Sequence, residues 1–154
     1  MSITENCLIC RKEFQTKHLD GFFCSQKCYR EAQKTDWYFQ ERFWSKVEKN
    51  GPTPAHCPEV GQCWMWEGGF GTSGYGKSYR FGKLIYAHRA AYMIENGSEG
   101  MDGMFVCHKC DNQKCVRPAH LFLATQKENI QDCIRKGRSR NQFSETRVQR
   151  WAAL

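Results

Sequence analysis

The segment Cys107-His108-Lys109-Cys110-Asp111-Asn112-Gln113-Lys114-Cys115-Val116-Arg117-Pro118-Ala119-His120 concentrates metal-binding donors. Within it Cys110, Cys115 and His120 follow C-x4-C-x4-H, three of the four ligands of a tetrahedral zinc site. An open fourth position would make the ion catalytic, with a bound water; a fourth protein ligand would close the site and make it structural. Cys63, just ahead of Trp64 and Trp66, is the first candidate for that ligand, and Cys57 is the alternative. A second donor set lies earlier. Cys7-Leu8-Ile9-Cys10 is followed after thirteen residues by Cys24-Ser25-Gln26-Lys27-Cys28. Four thiolates from a tight knuckle and a helix start suit a structural zinc ion.

Ten cysteines in 154 residues indicate either a secreted disulfide framework or metal ligation in a reducing compartment. The paired short spacings favour metal. So does the start, Met-Ser-Ile-Thr-Glu-Asn-Cys, which has no basic stretch leading into an apolar run. The expected location is therefore the cytoplasm or a nucleus, and not the secreted space. No run of apolar residues is long enough to cross a membrane. The net charge of +7 is unevenly placed. Lys77, Arg80, Lys83 and Arg89 occur in a stretch without an acid, and Lys127–Arg150 holds seven bases against Glu128, Asp132 and Glu145. Two basic segments around a Cys/His cluster point to a polyanionic partner.

The elements that must position these residues can be read from periodicity and caps. Phe22-Phe23 ends a strand, and Ser25 caps a helix running to about Lys34. Asp36 caps a helix from Trp37 to Lys49, with Trp37, Phe43, Trp44 and Val47 on one stripe, and Asn50-Gly51-Pro52 stops it. Residues 50–62, with three prolines, read as a loop. Cys63–Trp66 is a short strand, and Gly68–Gly74 a turn. Tyr75–Phe81 and Leu84–Ala87 form a hairpin around Gly82-Lys83. A helix from about His88 to Asn96 ends at Gly97. Met104–Cys107 and Leu121–Leu123 are strands. Thr125 opens a helix to Lys136, with Glu128 completing a capping box. Ser144 caps a short tail helix through Val148 and Trp151.

The spaced positions Cys63-Trp64, Gly74-Tyr75-Gly76-Lys77, Ala87-His88-Arg89, Cys107–Asn112, Cys115, Pro118–Leu121, Thr125 and Asn129 resemble the HNH endonucleases. More narrowly, they are similar to phage and intron-encoded HNH enzymes and to His-Cys box homing endonucleases, which share the ββα-metal (His-Me finger) site. The resemblance covers about residues 63–138. It implies an α+β chain: a small zinc-stabilised ββα-metal nuclease domain with a short antiparallel sheet, preceded by a four-cysteine zinc finger and a linking helix. The divisions are a finger over 1–35, a helix and linker over 36–62, the nuclease domain over 63–138 and a basic tail over 139–154.

The resemblance also implies roles. His108 matches the general base that activates water against the scissile phosphate, an imidazole titrating near 6.5 being suited to proton abstraction. Asn129 matches the helix residue that holds one divalent metal, its carboxamide oxygen suiting Mg²⁺. Cys110, Cys115, His120 and the distant cysteine, Cys63 first and Cys57 second, match a structural zinc, so two Zn²⁺ and one Mg²⁺ are expected per chain. The Asp that precedes the histidine in many HNH proteins is Cys107 here, a poor Mg²⁺ ligand. Asn112 or a neighbour stands for the middle Asn, whose usual task is to orient the histidine. Lys77 first and Arg80 second match a cation near the scissile phosphate, with Arg89 a further phosphate contact.

The expected partner is double-stranded DNA, read by the strand face Tyr75, Lys77 and Tyr79 with Arg80 and Lys83, since a two-stranded ribbon fits the major groove. The expected reaction is Mg²⁺-dependent phosphodiester hydrolysis by a homing or phage nuclease, or by a type II restriction enzyme. The alternative is a zinc-finger DNA-binding protein that has lost activity. The Trp151 tail and the Trp37–Trp44 helix are candidate homodimer surfaces.

Overall fold

A computed structural model describes residues 2–17 and 21–138. The expected tail helix around Trp151 lies outside them. The described chain is α+β, with four helices and four two-stranded antiparallel ribbons. No helix among the described residues is long and apolar enough to cross a membrane.

The first ribbon pairs β1 (Ile3–Asn6) with β2 (Glu13–Thr16), and Cys7 and Cys10 sit in the turn between them. Helix α1 (Gln26–Ala32) starts where the Ser25 side chain accepts from the Cys28 N–H, as the cap signal predicts. Phe22-Phe23 is not a strand. Among the described residues its backbone makes one bond, from Leu8 N–H to the Phe22 carbonyl, and Phe23 packs instead on the rings of Tyr29 and Tyr38.

Helix α2 spans Asp36–Trp44, with Thr35 rather than Asp36 at its N-cap. It ends five residues before the expected Lys49. The Ser45 hydroxyl donates back to the Arg42 carbonyl, a local bond that competes with helix propagation. Val47 then leaves the expected stripe to form β3 (Val47–Glu48) opposite β4 (Met65–Trp66). The buried face of α2 is Phe39 and Phe43, one turn apart, while Trp37 stays 40% exposed. Phe43 stacks on Trp66 at 4.8 Å between ring centroids.

Strands β5 (Lys77–Arg80) and β6 (Lys83–Tyr86) close around Phe81 and Gly82, both at positive φ as a two-residue hairpin turn requires. The backbone at Gly76 runs so close to Trp66 that a Cβ there would sit 2.5 Å from the indole. That approach lets the Gly76 carbonyl accept from Ala87 N–H and seats helix α3 (Ala87–Asn96). The small face Ala87, Ala90 and Ala91 brings α3 against Val106, Val116 and Leu121. These residues, with Phe39, Phe43, Trp66 and Met101, form one core. Each large side chain buried there contributes about 1.5–3 kcal/mol.

The last unit is ββα. Strand β7 (Phe105–His108) pairs with β8 (Leu121–Ala124), placing His108 opposite Leu121. Helix α4 (Gln126–Arg135) follows directly. Its capping box is complete: Thr125 accepts from Glu128 N–H, and the Glu128 carboxylate accepts from Thr125 N–H.

Candidate metal centres and the pocket around His108

Two donor sets converge. In the first, the sulfurs of Cys7, Cys10, Cys24 and Cys28 lie within 4.8 Å of one another. The Cys10–Cys24 and Cys24–Cys28 separations are 3.5 and 3.7 Å. Thiolates about 2.3 Å from a tetrahedral zinc would be about 3.8 Å apart, so the spacing fits. Burial acts to raise the Cys7 pKa, but backbone hydrogen bonds from Cys10, Cys24 and Ile9 outweigh it and bring the thiol down to about 6. Hydrogen bonding to Cys10 and burial push Cys24 up to about 12. Four thiols this close resist joint ionisation unless a cation sits among them.

In the second set, Cys63, Cys110, Cys115 and His120 gather within the same limit, and all four are buried. The sulfurs of Cys63 and Cys115 lie 3.8 and 3.5 Å from His120 Nδ1. Zinc–ligand lengths predict about 3.6 Å for such a pair. His120 Nε2 donates to the Val60 carbonyl at 2.8 Å, which turns Nδ1 toward the sulfurs. Strand pairing delivers Cys63: Trp66 N–H donates to the Lys114 carbonyl, and Val116 N–H to the Trp64 carbonyl. Cys57 is not one of the four; its sulfur lies 3.6 Å from the Lys109 carbonyl. Both Cys/His clusters have the donor chemistry and spacing to hold ions such as zinc.

Beside the second cluster opens a pocket of about 590 Å³. His108, Asn129, His88, Tyr75, Cys107 and Arg138 are among its lining. The His108 ring is buried, and its Nε2 lies 3.0 Å from the Cys115 carbonyl. A carbonyl only accepts, so Nε2 carries the proton and Nδ1 keeps its lone pair. Burial pushes the His108 pKa below the ordinary histidine value, against the opposing pull of the Cys115 carbonyl, so the ring is neutral at pH 7. Asn112 shapes the loop that supplies this carbonyl. Its side-chain oxygen accepts from Lys114 N–H and its main-chain oxygen from Cys115 N–H.

Asn129 projects from α4, and its Oδ1 accepts from the Cys107 thiol at 3.2 Å. Of the expected cationic positions, Arg89 lines this pocket and Lys77 and Arg80 do not. Lys77 lines a different groove, its stem lying against Gly71, where an added Cβ would meet Lys77 Cε at 2.7 Å. Arg80 is drawn away by an ion pair with Asp36 at 2.6 Å and lies over the Phe81 ring. Arg89 lines the pocket, but its guanidinium donates to the Met104 and Met101 carbonyls, holding the loop ahead of β7. Neither Lys77 nor Arg80 is among the residues around His108. Tyr75 is, its ring stacked near His108 at 6.2 Å. Tyr79 and Lys83 are exposed on the hairpin, Tyr79 at 66%.

Residues given no role by sequence complete the site. His88 packs 5.0 Å from His108 between ring centroids, and its Nδ1 is buried without a hydrogen-bond partner among the described residues. Asp132 is 5% exposed and ion-paired to Arg135, Lys136 and Arg138. Burial opposes its ionisation, and those cations outweigh burial and hold its carboxyl below the ordinary range. Lys136 also donates to the His108 carbonyl at 3.2 Å and pairs with Asp111. The i,i+3 and i,i+4 spacing of Asp132 from Arg135 and Lys136 was the available signal.

Residues 85–131 match the HNH endonuclease family model. The chain is 40% identical over 79 residues to Protein 2.8 of Escherichia phage T7, covering 50% of this chain and 52% of that protein. It is 41% identical over 76 residues to Protein 7.7 of the same phage, covering 49% of this chain and 58% of that protein. It thus spans about half the length of the curated relatives it matches. No solved structure matches significantly. The match runs from the end of β6 into α4 and so contains His108, Cys110, Cys115, His120 and Asn129, which makes this segment of the chain similar to the HNH endonuclease family.

Proposed function

We propose that the chain is a Mg²⁺-dependent DNA endonuclease in which His108 is the general base and Asn129 holds the metal. The observation that carries this reading is the His108 tautomer. With Nε2–H committed to the Cys115 carbonyl, Nδ1 is the proton acceptor, on a ring that burial keeps neutral. The second cluster anchors that carbonyl, because Cys115 is one of its four donors. The proposed zinc therefore acts on the reaction through the loop it holds.

The donor set at the third site fits a hard cation only together with substrate. Asn129 Oδ1 is a neutral oxygen, and Cys107 in place of a carboxylate is a poor partner for Mg²⁺. Asn129 would hold the ion once phosphate oxygens complete its shell. When bound, the ion would supply charge stabilisation for the phosphate and for the leaving 3′ oxygen. His108 Nδ1 would take a proton from water as its oxygen bonds to phosphorus and the P–O3′ bond breaks. Arg138 also lines the pocket; its guanidinium pairs with Asp111 and Asp132 and makes no backbone hydrogen bond among the described residues.

The test is cleavage of supercoiled DNA, phage genomes included, with and without Mg²⁺, comparing wild type with His108→Ala. The variant should lose about 10²–10⁴-fold in rate while its binding of DNA persists. A wild type that binds DNA and cuts none of the panel would favour the inactive DNA-binding reading instead.

A further inference from the structure

A second groove, of about 920 Å³, opens between helices α1 and α2 and the start of β5. It shares no lining residue with the pocket around His108. Five cations face it: Arg30 and Lys34 at and just beyond the end of α1, Arg42 and Lys46 along and just beyond α2, and Lys77 from β5. No carboxylate lines it, although the whole chain carries 16 acids to 23 bases. Lys34 is held by Glu31 at 2.8 Å. Arg30, Arg42, Lys46 and Lys77 have no carboxylate partner among the described residues. Apolar Phe39 and Phe43 back the groove.

Like charges gathered without counterions are unfavourable alone and are relieved by a polyanion. These four cations come from opposite walls, three from the helical side and Lys77 from the ribbon, an arrangement that embraces a strand rather than meeting a flat surface. Tyr75 lines the His108 pocket and Lys77, two residues on, lines the groove. Two extended residues span about 7 Å, so the openings adjoin along one stretch of chain. Cys28 lies in α1, so the four-cysteine module itself carries part of the groove.

We propose that this groove clamps the sugar-phosphate backbone of duplex DNA beside the cleavage position, as a contact separate from the cutting pocket. Taking DNA as the polyanion rests on the nuclease reading. The contact gives the four-cysteine module a share in binding, through Arg30.

The experiment measures binding of a fluorescent DNA duplex by the full chain, in buffer without divalent cations, as salt is raised. Wild type is compared with the fourfold variant Arg30→Gln, Arg42→Gln, Lys46→Gln, Lys77→Gln. The control carries the same charge change at exposed Lys12, Lys17, Lys27 and Lys49, each to Gln. Each phosphate contact contributes about 0.9 to the slope of log affinity against log salt, so the groove variant should lose about 3.6. Between roughly 50 and 200 mM salt, its loss of affinity should be smaller than that of wild type by on the order of 100-fold. The control should keep the wild-type slope. An unchanged slope in the groove variant, or an equal fall in the control, overturns the proposal. Zinc content and denaturation curves verify folding, and the single variants Arg42→Gln and Lys77→Gln should each remove about 0.9 if the fourfold variant fails to fold. The two readings fail separately: a chain that binds through the groove and never cuts refutes the nuclease alone. A chain that cuts and ignores the groove substitutions refutes the clamp alone.

Discussion

Acidifying the protein from pH 7 to 4.5 should destabilise it through His88. The ring is 7% exposed, packed among Tyr75, Tyr86 and His108, and its Nδ1 has no partner among the described residues. Burial first, then the nearby His108 and Arg89, brings its pKa from 6.5 down to about 3. The unfolded chain therefore takes up this proton near 6.5 while the folded chain refuses it until about 3. Stability from the neutral ring is fully present above 6.5 and is lost as pH falls through that window, at about 1.4 kcal/mol per unit. Integrated from pH 7 to 4.5, the loss is on the order of 2.5 kcal/mol. His108, also lowered by burial, acts in the same direction. The assay is urea denaturation at several pH values for wild type and His88→Phe, with zinc content followed on the same samples. Thiolate protonation loosens zinc in both proteins, so the difference between them isolates His88. Wild type should lose about 2.5 kcal/mol more than the variant over this range. Coincident pH slopes would refute the reasoning.

Two further outcomes follow from the packing. Cys63→Ser should lower bound zinc by one ion per chain and destabilise the chain by several kcal/mol, whereas Cys57→Ser should leave zinc content unchanged; metal analysis after desalting decides between them. Gly76→Ala should cost about 1–3 kcal/mol in denaturation, since its Cβ would meet Trp66 at 2.5 Å and Ala87 at 2.9 Å.

Elements whose signals are local matched their expectations. Ser25 caps α1, Gly97 ends α3, and Thr125 with Glu128 opens α4. Each depends on side chains or backbone within a few residues, so the neighbouring sequence carries the information. Val47 depended on a distant partner. Its apolar spacing continued the α2 stripe, but pairing with Trp66 made it a strand residue. Burial on α2 went to Phe39 and Phe43 because Trp66, far along the chain, supplied the surface Phe43 stacks against, and Phe39 packs on Phe43.

The candidate site divides the same way. Short spacings alone singled out Cys7, Cys10, Cys24 and Cys28, and also Cys110, Cys115 and His120, because donors a few residues apart can turn toward one ion. Sequence left Cys63 and Cys57 as alternatives; the strand bonds from Trp64 and Trp66 to the Lys114–Val116 segment brought Cys63 into the cluster. The type and position of His108 were legible, but its free nitrogen was not, since a carbonyl seven residues away sets the tautomer. The destinations of Lys77, Arg80 and Arg89 were likewise undecided by spacing. A long cationic side chain goes where a carboxylate, a carbonyl or open space is found: Asp36 for Arg80, Met104 and Met101 for Arg89, and the basic groove for Lys77. Sequence by itself determined which donors exist and how closely they are strung. Only the tertiary structure decided which way each one points, because direction depends on partners contributed by remote parts of the chain.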